Sequence, residues 1–211
     1  MPLNFLDLPS PLWVLGTDTG VGKTHVSGRI SRAWAAAGPV AYRKPFQSGV
    51  RSLEDPDSDP SAVKGPGITV ECHTVLQAPL SPLAAAELEG RSLDLDDALA
   101  WCRRPAPGRV LLEGVGGVMV PLAEGRHFLA WATELGFPCV LVARGGLGTL
   151  NHTLLSCEAL MMRGWRIAAV LLNPGVDESF EAAPSNADLL RRFLPIPVEI
   201  LDPRKPDPGS R

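Results

Sequence analysis

This chain has no clustered cysteines. Cys72, Cys102, Cys139 and Cys157 stand far apart and no C-x-x-C pair occurs, which argues against a structural zinc site. Cys139 falls in an apolar strand and Cys157 on a helix, where buried thiols are the rule. That usage fits a reducing, cytoplasmic setting. Basic residues form no run longer than Arg103-Arg104 or Arg191-Arg192, and the net charge is −3. Neither feature supports nucleic acid or an anionic membrane surface as a partner. No apolar run approaches the roughly 20 residues of a membrane span. The first ten residues have no basic n-region and contain Asp7, so no secretory signal is expected. There is no internal repeat. Spacing alone supports no Ser-His-Asp or Cys-His arrangement.

What the sequence does contain begins at Gly16-Thr17-Asp18-Thr19-Gly20-Val21-Gly22-Lys23-Thr24, a G-x-x-x-x-G-K-T run. The apolar stretch Leu12–Leu15 precedes it and a helix-periodic stretch, Val26 to Ala37, follows. Strand, glycine loop and helix form the context that makes this pattern a phosphate-binding loop. Glycines let backbone N–H groups close around phosphate oxygens, and the helix N-terminus adds positive potential. Lys23 is placed to reach the terminal phosphates and Thr24 to offer its hydroxyl to Mg²⁺.

The 211 residues, 45% hydrophobic and 20% charged, predict one domain over 1–211, with a Pro-rich, charged and loose tail from Asp202. Along the chain a β–α alternation repeats. Strands are expected at Val40–Arg43, Val110–Leu112, Val140–Ala143, Ile167–Leu172 and Val198–Leu201. Helices are expected after Ser81-Pro82 as far as Gly90, from Asp94 or Asp96 to Arg103, and over Phe128–Leu135, Asn151–Arg163 and Asp188–Phe193. Leu154, Leu155, Ala159 and Met162 are the candidates for the buried face of the Asn151 helix. Lys44–Gly49 reads as a loop leaving the second strand. Arg51–Gly67, rich in Asp, Pro and Ser, reads as irregular. Apolar strands without alternation, separated by amphipathic helices, predict an α/β protein: a P-loop-type parallel sheet covered on both faces.

Ligands of such sheets sit beyond the carboxyl ends of the strands. Lys44, Glu113 and Asn173 all stand there, on the edge that carries the phosphate loop. A carboxylate such as Glu113 beside a phosphate loop has a natural partner in Mg²⁺. Among Asp55, Asp57 and Asp59 most read as solvated turn residues, and one of them can complete the metal shell. His25 and His152, each in a first helical turn, read as solvent-facing or packing residues. The five tryptophans read as packing residues.

In order through most of its length, the chain resembles the dethiobiotin synthetase family. The resemblance rests on Gly16-Thr17-Asp18-Thr19, Val21-Gly22-Lys23-Thr24, Lys44-Pro45 with Ser48-Gly49, Ser58-Asp59 and Ser81-Pro82. It rests further on Glu113-Gly114 with Gly116-Gly117 and Pro121-Leu122, and on Leu147-Gly148-Thr149-Leu150-Asn151-His152. It implies an ATP- and Mg²⁺-dependent cyclo-ligase acting on 7,8-diaminononanoate and CO₂ (or bicarbonate) through a carbamate and a carbamic–phosphoric anhydride. It also implies a homodimer whose active site is shared between subunits. Lys44, Lys23 and Thr19 are then the catalytic set. Thr19, Lys44, Ser48 and Gly117, with Gly148, Thr149, Leu150 and Asn151 from the partner subunit, bind the substrate. Thr24, Asp59 and Glu113 hold the metal. Nucleotide contacts fall on Gly20, Val21, Gly22, Lys23, Thr24, His25, Asp59, Glu113, Gly114, Val115, Gly116, Asn173 and Pro174, with Asn173 reading the base and the Glu199–Pro203 segment bordering it. Gly20 stands where some members carry an acidic side chain, so any role of that side chain is absent here.

Two other readings compete. A cobyrinic-acid-synthase-like ATPase carries an added glutaminase domain, for which 211 residues are expected to leave no room. A partition-type switch ATPase predicts a second lysine early in the phosphate loop, where this chain has Thr17 and Asp18, and leaves Leu147–His152 unexplained.

Overall fold

Leu12 to Leu15 show no alternation because both faces of their strand are covered. The computed structural model describes residues 3–174 and 179–202. It contains the elements β1 (Leu12–Gly16), α1 (Lys23–Ala35), β2 (Val40–Ser48), α2 (Asp59–Val63), β3 (Ile68–Leu76), α3 (Pro82–Leu88), α4 (Leu95–Arg103), β4 (Arg109–Glu113), β5 (Pro121–Ala123), β6 (Arg126–His127), α5 (Phe128–Thr133), β7 (Cys139–Arg144), α6 (Thr149–Met161), β8 (Ile167–Asn173), α7 (Ser179–Phe193) and β9 (Val198–Ile200). Seven strands form one sheet in the order β3-β2-β4-β1-β7-β8-β9, every pairing parallel. The short β5 and β6 make a separate antiparallel pair.

The alternation of the strands sorts the core into two layers. Leu12, Val14, Leu111, Val140, Val142, Ala169 and Leu171 pack with Val26, Ile30 and Trp34 of α1. Trp13, Leu15, Leu112, Leu141, Val170 and Leu172 pack with residues of α4, α5, α6 and α7. Trp13, Phe128, Trp131 and Phe46 form an edge-to-face and tilted ring cluster in the second layer, with centroids 5.2 to 6.3 Å apart. Trp34 and Trp131 donate their indole N–H to the carbonyls of Phe5 and Leu95 at 2.7 and 2.8 Å, satisfying the one polar atom that each ring buries. Cys102, Cys139 and Cys157 are buried free thiols.

Four expectations need correction. The second strand does not end at Arg43. It runs to Ser48 because β3 pairs with it throughout, Lys44 against Cys72 and Ser48 against Leu76. β4 pairs only as far as Arg43, so Pro45 lies where one side of the strand makes no ladder, a position that tolerates its missing N–H. β3 itself, with Glu71, Cys72 and His73 inside it, carries no clean period and was not expected. Within Arg51–Gly67, Asp59–Val63 forms a helix capped by Ser58, whose Oγ accepts from Ser61 N at 3.1 Å. Finally, α6 buries Thr153, Ser156, Cys157 and Leu160, while Leu155 and Met162 are 58% and 79% exposed. Of the expected face, Leu154 and Ala159 pack partly buried against the core, and only Leu155 and Met162 point outward.

Other boundaries moved by a turn or less, except α7, which extends back to Ser179 through Pro184, a residue that reads as a breaker. Asp94 is the α4 cap, accepting from Asp97 N at 2.9 Å. Ser81 holds the cap position of α3 without a side-chain bond. The tail beyond Asp202, Pro203 and Met1-Pro2 lie outside the described residues.

Candidate active site

The phosphate loop leaves β1 and turns into α1 through Gly22, whose φ of 91° lies in the left-handed region that glycine adopts without strain. A Cβ at Gly22 would stand 1.9 Å from Asn173 Nδ2. The same nitrogen donates to Val21 O at 3.0 Å, so β8 braces the loop from the side. Lys23 reaches back and donates to Asp18 O at 3.0 Å and Gly116 O at 2.8 Å. Burial, with Lys44 adding to it, lowers its pKa to about 8. Asp18 takes the Thr19 N–H at 2.7 Å and pairs with Arg144 at 3.2 Å.

Beside the loop, β2 and β4 bring a lysine between two carboxylates. Lys44 Nζ lies 2.8 Å from Glu113 Oε1, 2.6 Å from Asp59 Oδ2 and 3.0 Å from Gly114 O. Thr24 Oγ1 lies 2.6 Å from Asp59 Oδ1 and 3.0 Å from Glu113 Oε1. Tyr42 OH donates to Glu113 Oε2 at 3.0 Å. Burial opposes charge on Lys44, but Glu113 and Asp59 outweigh it and hold the ammonium well above its ordinary pKa. Burial also opposes charge on Asp59, and Lys44 beside it more than compensates, keeping the carboxyl below its usual range. For Tyr42, burial and then Glu113 push the phenol well up, so it acts as a donor.

Thr24, Asp59 and Glu113 thus offer hard oxygens converging on one point, already shared by a cation. That donor set fits Mg²⁺, which takes one or two carboxylates and leaves the rest of its shell to water and phosphate. Among the described residues no group of three or more His, Cys, Asp and Glu side chains converges.

Thr19, Gly20, Gly22, Lys23, Thr24, Lys44, Ser48, Asp59, Glu113, Val115 and Gly116 all line one cavity of about 640 Å³. Asp59, and not Asp55 or Asp57, is the aspartate that faces it. Gln47, Phe46, Pro79 and Leu80 line the same cavity without having been expected there, and Ser81-Pro82, expected only as a helix start and a family motif, completes that wall. Gln47 lay inside the expected loop, and only the unforeseen β3 turns that stretch into strand. Gly114 instead packs under the site, where a Cβ would meet Leu15 and Phe128 at 2.9 and 3.1 Å. Val21 is buried, and His25 is exposed on the first turn of α1. Pro174 is buried after β8.

Gly117 borders a second cavity of about 450 Å³, together with Thr17, Asp18, Met119, His152 and Leu155. Val120 belongs to both cavities. Gly148 begins α6 with φ 86°, and Thr149 Oγ1 ties the turn down by donating to Arg144 O at 2.6 Å. Leu147 before it is fully exposed, and Asn151 is exposed. Gly148, Thr149, Leu150 and Asn151 line neither cavity.

Residues 11–200 match a family model described as an AAA domain. The ATP-dependent dethiobiotin synthetase of Anaeromyxobacter sp. (strain K) is 41% identical over 209 residues, which cover 95% of this chain and 92% of that protein. The chain belongs to the dethiobiotin synthetase family. A Bacillus licheniformis member is 35% identical over 208 residues, covering 92% of this chain and 86% of its own length. Members of the family are ATP-dependent ligases. Among solved structures, the cell division protein FtsY of Thermotoga maritima superposes with a TM-score of 0.55 at 16% identity, covering 95% of this chain and 65% of that one. The septum site-determining protein MinD of Pyrococcus horikoshii, complexed with Mg-ADP, gives 0.54 at 16% identity, covering 91% and 81%. At such identities the likeness shows the P-loop nucleotide-binding fold. Among the described residues no helix is long and apolar enough to cross a membrane.

Proposed function

We propose that this single-domain protein uses ATP to join CO₂ to 7,8-diaminononanoate and close the ureido ring of dethiobiotin, in the cytoplasm and as a homodimer. One observation carries the reading: the phosphate loop, Lys44 and the Asp59–Glu113 pair share a cavity with Thr19 and Ser48, inside a family whose members are named for this product.

One amine of the substrate attacks CO₂ to form an N–C bond, and the proton released leaves the carbamate anionic. The γ-phosphoryl group passes from ATP to a carbamate oxygen, releasing ADP. The second amine then attacks the carbonyl carbon, the ring closes, and phosphate departs with the electron pair of the C–O bond. Each stage concentrates negative charge, so the site works by positioning and electrostatic stabilisation. Lys23 and the loop N–H groups hold the β- and γ-phosphates. Lys44, charged throughout the working range, faces the oxygens of the carbamate and the moving phosphoryl group. Thr19 and Ser48 orient the amine end from the cavity wall. Thr24, Asp59 and Glu113 would hold Mg²⁺, which when bound neutralises phosphate charge. Val21, His25, Gly114 and Pro174 support the nucleotide pocket through the backbone and packing around it. Asn173, anchored beside Gly22, stands at the base end.

The carbon chain of the substrate passes Val120 into the second, more apolar cavity beside Gly117. Its carboxylate meets Gly148, Thr149, Leu150 and Asn151 at the start of α6 in the partner subunit, where a helix N-terminus suits an anion. The exposed side chains Met119, Leu147 and Leu155 supply the apolar surface on which the two subunits meet.

The test is direct. Purified protein incubated with 7,8-diaminononanoate, bicarbonate and MgATP should form dethiobiotin, read by mass spectrometry. ATP turnover indifferent to the diamine, with no product, would sink the reading.

A further inference from the structure

Tyr42 is the only tyrosine in the chain, and it is fully buried. Its neighbours on the α1 side of the sheet are apolar, a setting in which phenylalanine would pack as well. The hydroxyl has one evident use. It donates to Glu113 Oε2 at 3.0 Å, while Glu113 Oε1 accepts from Thr24 and Lys44. The terminal torsion of a glutamate is broad and two-fold. A donor fixed on one oxygen sets the plane of the carboxylate and turns the other oxygen toward the cavity.

The same strand treats the second carboxylate in a different way. Gln47, buried like Tyr42, accepts the backbone N–H of Asp59 at 3.1 Å and donates to Ser48 O at 3.0 Å. Asp59 opens the short α2, so this bond ties the start of that helix to the end of β2. Strand β2 therefore holds Glu113 from residue 42 and Asp59 from residue 47, with Lys44 between them contacting both.

We propose that Tyr42 and Gln47 are positioning residues that set the orientation of Glu113 and the placement of Asp59 for a divalent cation. The proposal rests on the reading of those two carboxylates as the metal-holding pair. Partners that hydrogen-bond to metal ligands control affinity by about 10- to 100-fold, and a buried hydroxyl spent on one carboxylate oxygen belongs to that class.

The experiment uses Mn²⁺ as the probe, with the full chain and ADP, and reads free Mn²⁺ by electron paramagnetic resonance. Tyr42→Phe and Gln47→Leu are each expected to weaken Mn²⁺ binding about tenfold. In the ligase assay the Mg²⁺ concentration for half-maximal rate should rise by a similar factor, with a smaller change in kcat at saturating Mg²⁺. ADP binding in EDTA should hold. Glu113→Gln serves as the reference. If Glu113→Gln weakens Mn²⁺ binding while Tyr42→Phe and Gln47→Leu only lower thermal stability, the positioning proposal is overturned and the metal reading stands. If Glu113→Gln itself leaves Mn²⁺ binding unchanged, the metal reading falls and takes the proposal with it.

Discussion

Lys44 and Glu113 are 69 residues apart in sequence and 2.8 Å apart in space, on the adjacent strands β2 and β4. Both are buried, so the ammonium and the carboxylate each depend on the other for charge balance.

Removing Lys44 leaves Glu113 and Asp59 facing each other. Breaking a buried pair from one side costs about 3–5 kcal/mol. Lys44→Met should therefore lower stability in EDTA by about that amount, measured by urea denaturation, and should abolish dethiobiotin formation. Mg²⁺ should restore more stability to this variant than to the wild type, because a divalent cation replaces the missing ammonium. Equal responses to Mg²⁺ would mean that the carboxylate pair does not take the metal.

Gly22→Ala introduces a Cβ 1.9 Å from Asn173 Nδ2 at a φ of 91°. The left-handed backbone costs alanine about 1–2 kcal/mol, and the clash adds to it. Nucleotide affinity should fall at least about tenfold, the equivalent of 1.4 kcal/mol. Adding Asn173→Ala should recover the part due to the clash and leave the backbone part. Isothermal titration with ADP across the two single variants and the double variant separates the terms.

The shared-site reading makes a prediction about mixtures. Lys44→Ala and Asn151→Ala should each be inactive alone. Equal amounts, allowed to exchange subunits, should recover about a quarter of wild-type activity. Half of the dimers are then mixed, and one of their two sites is intact. No recovery after demonstrated exchange would place Lys44 and Asn151 in the same site of one subunit.

His127 caps α5 by accepting from Ala130 N at 3.1 Å through Nδ1. Burial, with Arg163 adding to it, lowers its pKa below the ordinary histidine value. The unfolded chain therefore takes up this proton more readily than the native one. The cap's contribution is fully present above the unfolded pKa, near pH 6.5, and is lost as pH falls from there through the lower folded pKa. His127→Asn, which keeps an acceptor at the cap, should flatten the fall in melting temperature between pH 7 and pH 5.

Much of this molecule was written in its apolar runs. β1, β4, β7 and β8 were legible because both faces of a central parallel strand are covered and the sequence shows it. The edge was not legible. β3 mixes Glu71, Cys72 and His73 into a half-covered strand, and without it β2 reads as ending at Arg43. The site followed the same division. Thr24 and Glu113 stand at positions that the motif and a strand end point to, whereas Lys44 lies inside β2, just past the point where β4 stops pairing with it. Tyr42 and Gln47 carry no motif, since a tyrosine before a charged pair and a glutamine before Ser48 look like ordinary strand residues. The outward turn of Leu155 and Met162 was hidden for a different reason. Helical periodicity marks an apolar stripe without saying which of its residues the sheet covers.

The order of the sheet sets a schedule for synthesis. β1 lies between β4 and β7, so the phosphate loop is translated early, but the strands that flank it come nearly a hundred residues or more later. A nascent chain that has exposed Gly16–Thr24 has no flanking strand for β1 until β4 is made, and a strand on one side only until β7 is made. Through that interval the apolar β1 and α1 await distant partners, the condition under which slow, aggregation-exposed folding is expected. Nucleotide can begin to favour the native state only once Glu113 and Gly116 have joined the loop, because the cavity needs residues from both stretches.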